Sequence, residues 1–129
     1  MKSLILTVPG VARTKKNSGR IVPRGNRHII LPSEAWQRWC DAVAPKMREA
    51  LAEAGHVPID FPVNCKALFY RDALRGDACG FYQGLADLLE HGGVVANDKW
   101  ITRWDGSRLC KDSSRPRIEL ELTRIEIGE

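Results

Sequence analysis

The chain has 129 residues, of which 43% are hydrophobic and 28% charged, and its formal net charge is +4. These values are typical of one folded domain and exclude a wholly disordered chain. No run approaches the roughly 20 apolar residues of a membrane-spanning helix, and the N-terminal apolar run ends at Pro9, too short for a signal peptide. We therefore expect a single domain over residues 1–129, no membrane association and a cytoplasmic location.

Positive charge is concentrated in the N-terminal quarter. The basic residues before Glu34, where no acidic residue occurs, are Lys2, Arg13, Lys15, Lys16, Arg20, Arg24 and Arg27. Each Lys or Arg placed against a phosphate releases a counterion, so this asymmetry favours a polyanionic partner such as nucleic acid. The charge alone leaves an ordinary solvated surface open as the alternative.

The first quarter of the chain contains strand patterns. Residues 3–8 form a short apolar run that predicts a strand ended by Pro9-Gly10. Residues 20–31 are typical of a hairpin whose turn is Arg24-Gly25-Asn26.

A long amphipathic helix is predicted next. Apolar residues recur at helical spacing from Trp36 to Ala54, with Ser33 as the cap and Gly55 as the stop. Because Pro45 falls inside this pattern, we expect a kink there or two shorter helices.

The second half alternates strands with one helix. We predict a strand over residues 63–70, a helix over residues 77–91, and strands over residues 99–105 and 117–127. The resulting order β-β-β-α-β-α-β-β predicts an α+β fold in which two main helices pack on one mixed β-sheet.

Acidic residues around the second helix suggest a metal site. Asp77 starts this helix beside a polar stripe of Gly80, Gln83, Gly84, Asp87 and His91. If the chain folds back after Gly93, Asp98 approaches the same acidic end. Converging carboxylates suit hard divalent cations, and magnesium held in this way can activate water against a phosphodiester.

Each acid also has a simpler interpretation. In this interpretation Asp77 is only a helix cap, Asp98 a turn residue and Asp87 a solvated side chain. Asp105-Gly106 is typical of a tight turn. The residues alone leave these alternatives open.

Three segments together resemble the catalytic region of the RusA-type Holliday-junction resolvases. These segments cover residues 76–81, 83–89 and 93–98, and residues 14–18 and 30–33 also look like family segments. The resemblance extends from about residue 5 to residue 123. It implies a small homodimeric endodeoxyribonuclease that uses Mg²⁺, or Mn²⁺ in its place, to cleave branched DNA such as a four-way junction.

The resemblance also assigns roles to individual residues. Asp77 matches the first catalytic aspartate of the family, Asp98 the last and Asp87 the helix aspartate. Cys79 stands where the family has its second catalytic aspartate, and Gln83 stands where it has a lysine. A thiol is a poor magnesium ligand and glutamine carries no charge, so both departures weaken the site.

Two explanations of these departures remain open. Another acid completes a metal set with Asp77 and Asp98, with Asp105 as the first candidate and Asp87 as the second. Alternatively, the chain binds branched DNA but cleaves it slowly or not at all. We favour an active enzyme because both outer aspartates are present and the flank after Asp98 is basic.

The nucleic-acid-binding residues are expected mainly in the basic segments. The candidates are Lys15, Lys16, Asn17, Arg20, Arg24, Arg27, Arg75 and Arg108. Phosphate contacts of this kind position DNA without reading its sequence. Among the tryptophans, we expect Trp36 and Trp39 in the core and Trp100 and Trp104 on a sheet face or at the dimer interface rather than stacked on bases.

Overall fold

The computed structural model describes residues 3–14, 20–24, 27–31, 34–74 and 76–126, with residues 20–24 and 27–31 described by their backbone alone. The elements in chain order are β1 (Ser3–Pro9), β2 (Arg20–Arg24), β3 (Arg27–Leu31), α1 (Glu34–Glu53), β4 (Val63–Arg71), α2 (Ala78–His91), the 3₁₀ helix η1 (Asp98–Trp100), β5 (Ile101–Arg103), β6 (Arg108–Lys111) and β7 (Arg117–Arg124). The predicted α+β fold is confirmed: a five-stranded mixed sheet carries two helices.

The predicted hairpin forms a sheet of its own. β2 and β3 pair antiparallel, with Arg24 opposite Arg27. The two residues between them, at the predicted turn, lie outside the described residues. The expectation of one sheet is therefore incomplete, because these strands form a separate two-stranded sheet.

Helix α1 is a single helix that contains Pro45, so the alternative of two shorter helices is wrong. Pro45 and Asp41 are both exposed, so water can satisfy the Asp41 carbonyl, whose usual partner is the missing proline N–H. Trp36, Trp39 and Leu51 are buried on the opposite face of α1. This packing outweighs the lost hydrogen bond.

The strand predicted over residues 99–105 is largely wrong. Its first part is η1, where the Asn97 side chain accepts a 2.9 Å hydrogen bond from the Lys99 amide. β5 has three residues, a turn with Gly106 at φ +85° follows, and β6 was not predicted. β7 ends at Arg124, three residues before the predicted end.

The sheet presents one apolar face to the helices. β7 lies between β1 and β4 and is antiparallel to both. Inward side chains align across the three strands in the rows Val8–Ile118–Phe69, Leu6–Leu120–Ala67 and Leu4–Leu122–Cys65. They pack in the core cluster with Trp36 of α1 and Leu85 of α2. The predictions that Trp36 and Trp39 are core residues are confirmed, since both are buried.

The other edge of β4 is shared by two short parallel strands. β5 pairs with the start of β4, and β6 pairs with its end. Between these pairings, the Ser107 hydroxyl accepts a hydrogen bond from the Ala67 amide at 2.9 Å and donates one to the Cys65 carbonyl at 3.0 Å. A side chain therefore takes over the backbone pairing where the edge is interrupted.

Candidate active site

A cavity lies at the carboxyl ends of the parallel strands β4 and β6, next to the start of α2. Its volume is about 320 Å³. It is lined by the N-terminal segment Ala12–Thr14 and by Arg71, Gly76, Asp77 and Phe81. Crevices at the carboxyl ends of parallel strands are common ligand sites in open sheets. We call this feature the Asp77 cavity.

Asp77 occupies the cap position of α2 without capping it through its side chain. Its backbone is extended, with φ −89° and ψ 101°, as a cap residue requires. In the first turn of α2, which the structure describes completely, no capping hydrogen bond reaches the carboxylate. The carboxylate instead lies beside Gly80 and Thr14, since a Cβ on Gly80 would be 3.0 Å from the Asp77 Oδ2 and from the Thr14 methyl group. A carboxylate in this position is available to a ligand in the cavity.

Arg71 is the last residue of β4 and is held by an aromatic ring of α2. Its guanidinium carbon lies 4.5 Å from the centroid of the Phe81 ring. Gly76, at φ +125°, leaves room for both groups, because a Cβ there would be 2.8 Å from the ring and 3.1 Å from the Arg71 Nη1. The cation–π contact with Phe81 therefore holds Arg71 on the wall of the cavity that Asp77 also lines, and position 76 requires a glycine because of its positive φ and the lack of space for a Cβ.

The N-terminal segment packs directly on α2. A Cβ on Gly84 would be 2.5 Å from the Arg13 carbonyl oxygen. Trp36 Nε1 donates to the Gly84 carbonyl at 3.1 Å, and Trp39 Nε1 donates to the Pro9 carbonyl at 3.1 Å. Gly84 is buried, so its predicted place in an open polar stripe is wrong: the stripe is interrupted where the N-terminal segment crosses it.

The other predicted acids lie elsewhere. The amide of Asp98 donates to Glu90 Oε1 at 2.9 Å. Because Glu90 is in the last turn of α2, it lies about 20 Å along the helix from Asp77. Asp87 is half-buried on α2 and Asp98 is exposed. Neither is among the described residues that line the Asp77 cavity.

Asp105 lies in the tight turn that Asp105-Gly106 predicts, beyond the end of β5 and so outside the strand predicted over residues 99–105. Its amide donates to the Asn64 Oδ1 at 2.8 Å, and its carbonyl accepts from the Asn64 Nδ2 at 3.2 Å. The structure thus fixes the Asp105 backbone and leaves the residue exposed. It does not bring Asp105 into the cavity.

The donor set determines how a metal ion would bind. Within the described ranges, no group of three or more His, Cys, Asp and Glu side chains is placed to hold a metal ion. Magnesium, however, is commonly held by one or two carboxylates together with water and substrate phosphates. The oxygen ligand of Asp77 beside an open cavity fits an ion that is bound jointly with a phosphate, not one bound by the protein alone.

The predicted nucleic-acid-binding residues are only partly described. Lys15, Lys16, Asn17 and Arg75 lie outside the described residues, and the side chains of Arg20, Arg24 and Arg27 are not described either. Arg108 is exposed and shares its register position with Leu68. It therefore lies on the sheet face opposite Arg71, because successive strand residues alternate between faces.

The outer face of the sheet carries a closed charge network. Arg117 lies 3.9 Å over the Tyr70 ring and makes ion pairs of 2.9 Å with Asp112 and 2.8 Å with Glu119. Hydrogen bonds from Ser114 and from Arg117 lower the pKa of Asp112 to about 2. These ion pairs brace the turn between β6 and β7, and the Asp112 amide also donates to the Arg71 carbonyl at 2.7 Å. The network thus supports the end of β4 from behind the cavity.

The remaining tryptophans are at the β5 end of the sheet. Trp104 is stacked on Tyr82 with ring centroids 4.8 Å apart, and it packs against the core. Trp100 is half-buried, with the Lys99 ammonium 5.0 Å from its ring. Trp104 therefore lies within the fold, as the sheet-face interpretation expects.

Comparison with known proteins adds no identification. No protein-family model matches the chain, and no curated protein matches it significantly. Within the part of the chain that the structure describes, no helix has the length and apolar character needed to cross a membrane.

The sequence did not predict Arg71 and Glu90 as neighbours of the candidate acids. The available signals were the position of Arg71 at a strand end and the helical spacing of Glu90 from Asp87.

Proposed function

We propose that the protein is a magnesium-dependent endodeoxyribonuclease that acts on branched DNA, such as a four-way junction, as a cytoplasmic homodimer. The observation that carries the proposal is the Asp77 carboxylate, which makes no capping bond to the described first turn of α2 and lines a cavity together with Arg71. The sequence resemblance to the RusA-type resolvases supports the same residue as the first catalytic aspartate.

The residues of the cavity have distinct tasks in this proposal. A phosphodiester of the substrate enters the cavity, and Asp77 would hold Mg²⁺ together with that phosphate. Bound magnesium supplies charge neutralisation and a more acidic water. Thr14 lines the cavity and is followed directly in the sequence by Lys15 and Lys16, which are candidates for further phosphate contacts. Two symmetry-related cavities of a homodimer suit paired cuts across a junction.

The first experiment compares cleavage by the wild type and by Asp77→Asn. A labelled four-way junction is incubated with each protein in Mg²⁺ or Mn²⁺. The matched control is Asp60→Asn, which alters an exposed carboxylate just before the start of β4, at the end opposite the cavity. We expect paired symmetric cuts from the wild type and the control and none from Asp77→Asn. Cleavage that persists in Asp77→Asn contradicts the proposed role.

A second candidate function is a junction-binding protein that does not cleave DNA. It is favoured by Cys79, an exposed thiol in the first turn of α2 where the resemblance implies a carboxylate. This candidate predicts that the protein binds the four-way junction with high affinity and does not cut it in the presence of Mg²⁺ or Mn²⁺. Its binding must still weaken steeply with salt, because six phosphate contacts give a slope of about −5 in log affinity against log salt. No binding at all contradicts both candidates.

A further inference from the structure

We infer that Arg71 is the cation that binds a DNA phosphate in the Asp77 cavity and provides the positive charge that Gln83 lacks. The inference rests on the proposed function, since it names the substrate group that this cavity receives. Gln83 is exposed on α2 and is not among the described residues that line the cavity. Arg71 lines it directly.

The sheet register sets the position of Arg71. Alternate residues of β4, namely Cys65, Ala67 and Phe69, are fully buried against the helices. Arg71 continues the same face at the point where the strand ends, and it is half-buried there. A guanidinium group stacked on Phe81 keeps its planar donors in a fixed orientation. Such preorganisation suits bidentate contact with phosphate oxygens.

The charges around the cavity favour an anion. Lys111 is paired in register with Arg71 on the same sheet face and is exposed. Arg13 is exposed and lines the cavity as well. Of the described residues that line it, Asp77 alone carries a carboxylate. The two cations that line the cavity outnumber its one carboxylate, which favours a phosphodiester and agrees with a metal ion that binds together with DNA.

Two other stacked arginines show why Arg71 is the relevant one. Arg117 lies over Tyr70 on the outer face of the sheet, where its ion pairs support the turn between β6 and β7, and it is not among the described residues that line the cavity. Arg124 lies 4.3 Å over the Phe61 ring and is paired in register with Val63 at the opposite end of β4. Arg124 has the same chemistry as Arg71 without the cavity, so it is a matched control.

The test measures junction binding without metal, over a range of salt concentrations, for the wild type, Arg71→Gln, Arg71→Lys and Arg124→Gln. We expect Arg71→Gln to bind about tenfold more weakly and to reduce the salt slope by about one, as for one lost phosphate contact. Arg71→Lys keeps the slope because it keeps the charge. Arg124→Gln leaves both quantities unchanged. Circular dichroism of each variant confirms that it is folded.

A second measurement keeps the inference testable if Arg71→Gln does not fold. Alkylation of the exposed Cys79 is followed in the wild type and in Arg71→Lys, with the junction or inorganic phosphate present. We expect the junction to slow alkylation severalfold in both proteins and millimolar phosphate to have a smaller effect. An unchanged salt slope in folded Arg71→Gln, or no protection of Cys79 by bound DNA, overturns the inference while cleavage that depends on Asp77 survives. A wild type that binds no DNA overturns the proposed function itself.

Discussion

The carbonyl oxygen of Arg13 lies against Gly84, so that a Cβ on this glycine would be only 2.5 Å from it. A glycine inside a helix costs about 1 kcal/mol relative to alanine. In α2 that cost is offset by close packing of the N-terminal segment, which is the same segment that lines the Asp77 cavity. Arg13, at the start of the basic region, thereby packs against α2, the helix that directly follows Asp77.

Gly84→Ala tests this contact because helix propensity and packing predict opposite changes in the free energy of unfolding. Propensity alone predicts a gain of about 1 kcal/mol in the free energy of unfolding. We expect instead a loss of about 1–3 kcal/mol, since the new Cβ also meets the Trp36 ring at 3.3 Å. Urea denaturation measures the change. Gln83→Ala, an exposed substitution in the same helix, serves as the control, and a more stable Gly84→Ala contradicts the packing argument.

Periodicity was sufficient to predict the long elements and insufficient for the short ones. β4 and α2 were predicted within one residue at each end, because both have a regular apolar pattern and clear stop signals. η1 and β6 were missed because they depend on side-chain bonds to residues distant in sequence, such as Ser107 to β4. No local pattern contains such a partner.

Cys79→Asp tests whether the missing carboxylate limits the chemistry. Cys79 is exposed in the first turn of α2, where a negative charge is favourable to the helix by about 0.3–1 kcal/mol. We therefore expect Cys79→Asp to fold, to reach half-maximal cleavage at a lower Mg²⁺ concentration than the wild type, and to cleave the junction faster. Cys79→Asn separates charge from size. Cleavage is measured across a magnesium titration, and equal rates for all three proteins exclude a limiting role for this position.

The lowered pKa of Asp112 leads us to expect that the fold loses stability at acidic pH. Hydrogen bonds from Ser114 and Arg117 lower its pKa from 3.8 to about 2, so the folded state favours the ionised carboxylate. A group with a lowered pKa stabilises the fold above its unfolded pKa and loses this contribution as the pH falls through the folded value. Wild-type stability should therefore decrease between about pH 4 and pH 2.

The measurement is the urea midpoint as a function of pH for the wild type and Asp112→Asn. We expect the variant to be less stable at neutral pH and to lose less stability across this acidic range. Asp60→Asn, whose exposed side chain is not in the network, should follow the wild type. Identical pH profiles for the wild type and Asp112→Asn refute the prediction.

The four thiols should differ widely in reactivity. Burial raises the pKa of Cys65 to about 12, and the residue has no exposed surface. Cys79 is exposed, Cys40 is buried and Cys110 is intermediate. Maleimide labelling followed by mass spectrometry should modify Cys79 first and Cys65 only on unfolding. Labelling of Cys65 in the folded protein at the rate of Cys79 contradicts the structure.

For the candidate site, the sequence predicted Asp77, the one predicted acid that lines the cavity among the described residues, but not its neighbours. Asp77 was predicted from its position before a helix. Its carboxylate is available to a ligand because it makes no capping hydrogen bond in the described first turn, and the sequence does not show this. The contact between Arg71 and Phe81 joins a strand end to a helix start across a turn. Residue spacing does not determine such a contact, because the turn sets which way the helix leaves the sheet.

The order of the strands has a consequence for synthesis. β7 is the last described strand, yet it lies between β1 and β4 and supplies the partner for both. A growing chain on the ribosome therefore exposes β1 and one side of β4 until β7 has emerged, because the pairing of β1 with β7 closes the whole loop from Pro9 to Arg117. The sheet is thus completed only after β7 has left the ribosome, and until then the unpaired edges of β1 and β4 are open to chaperones.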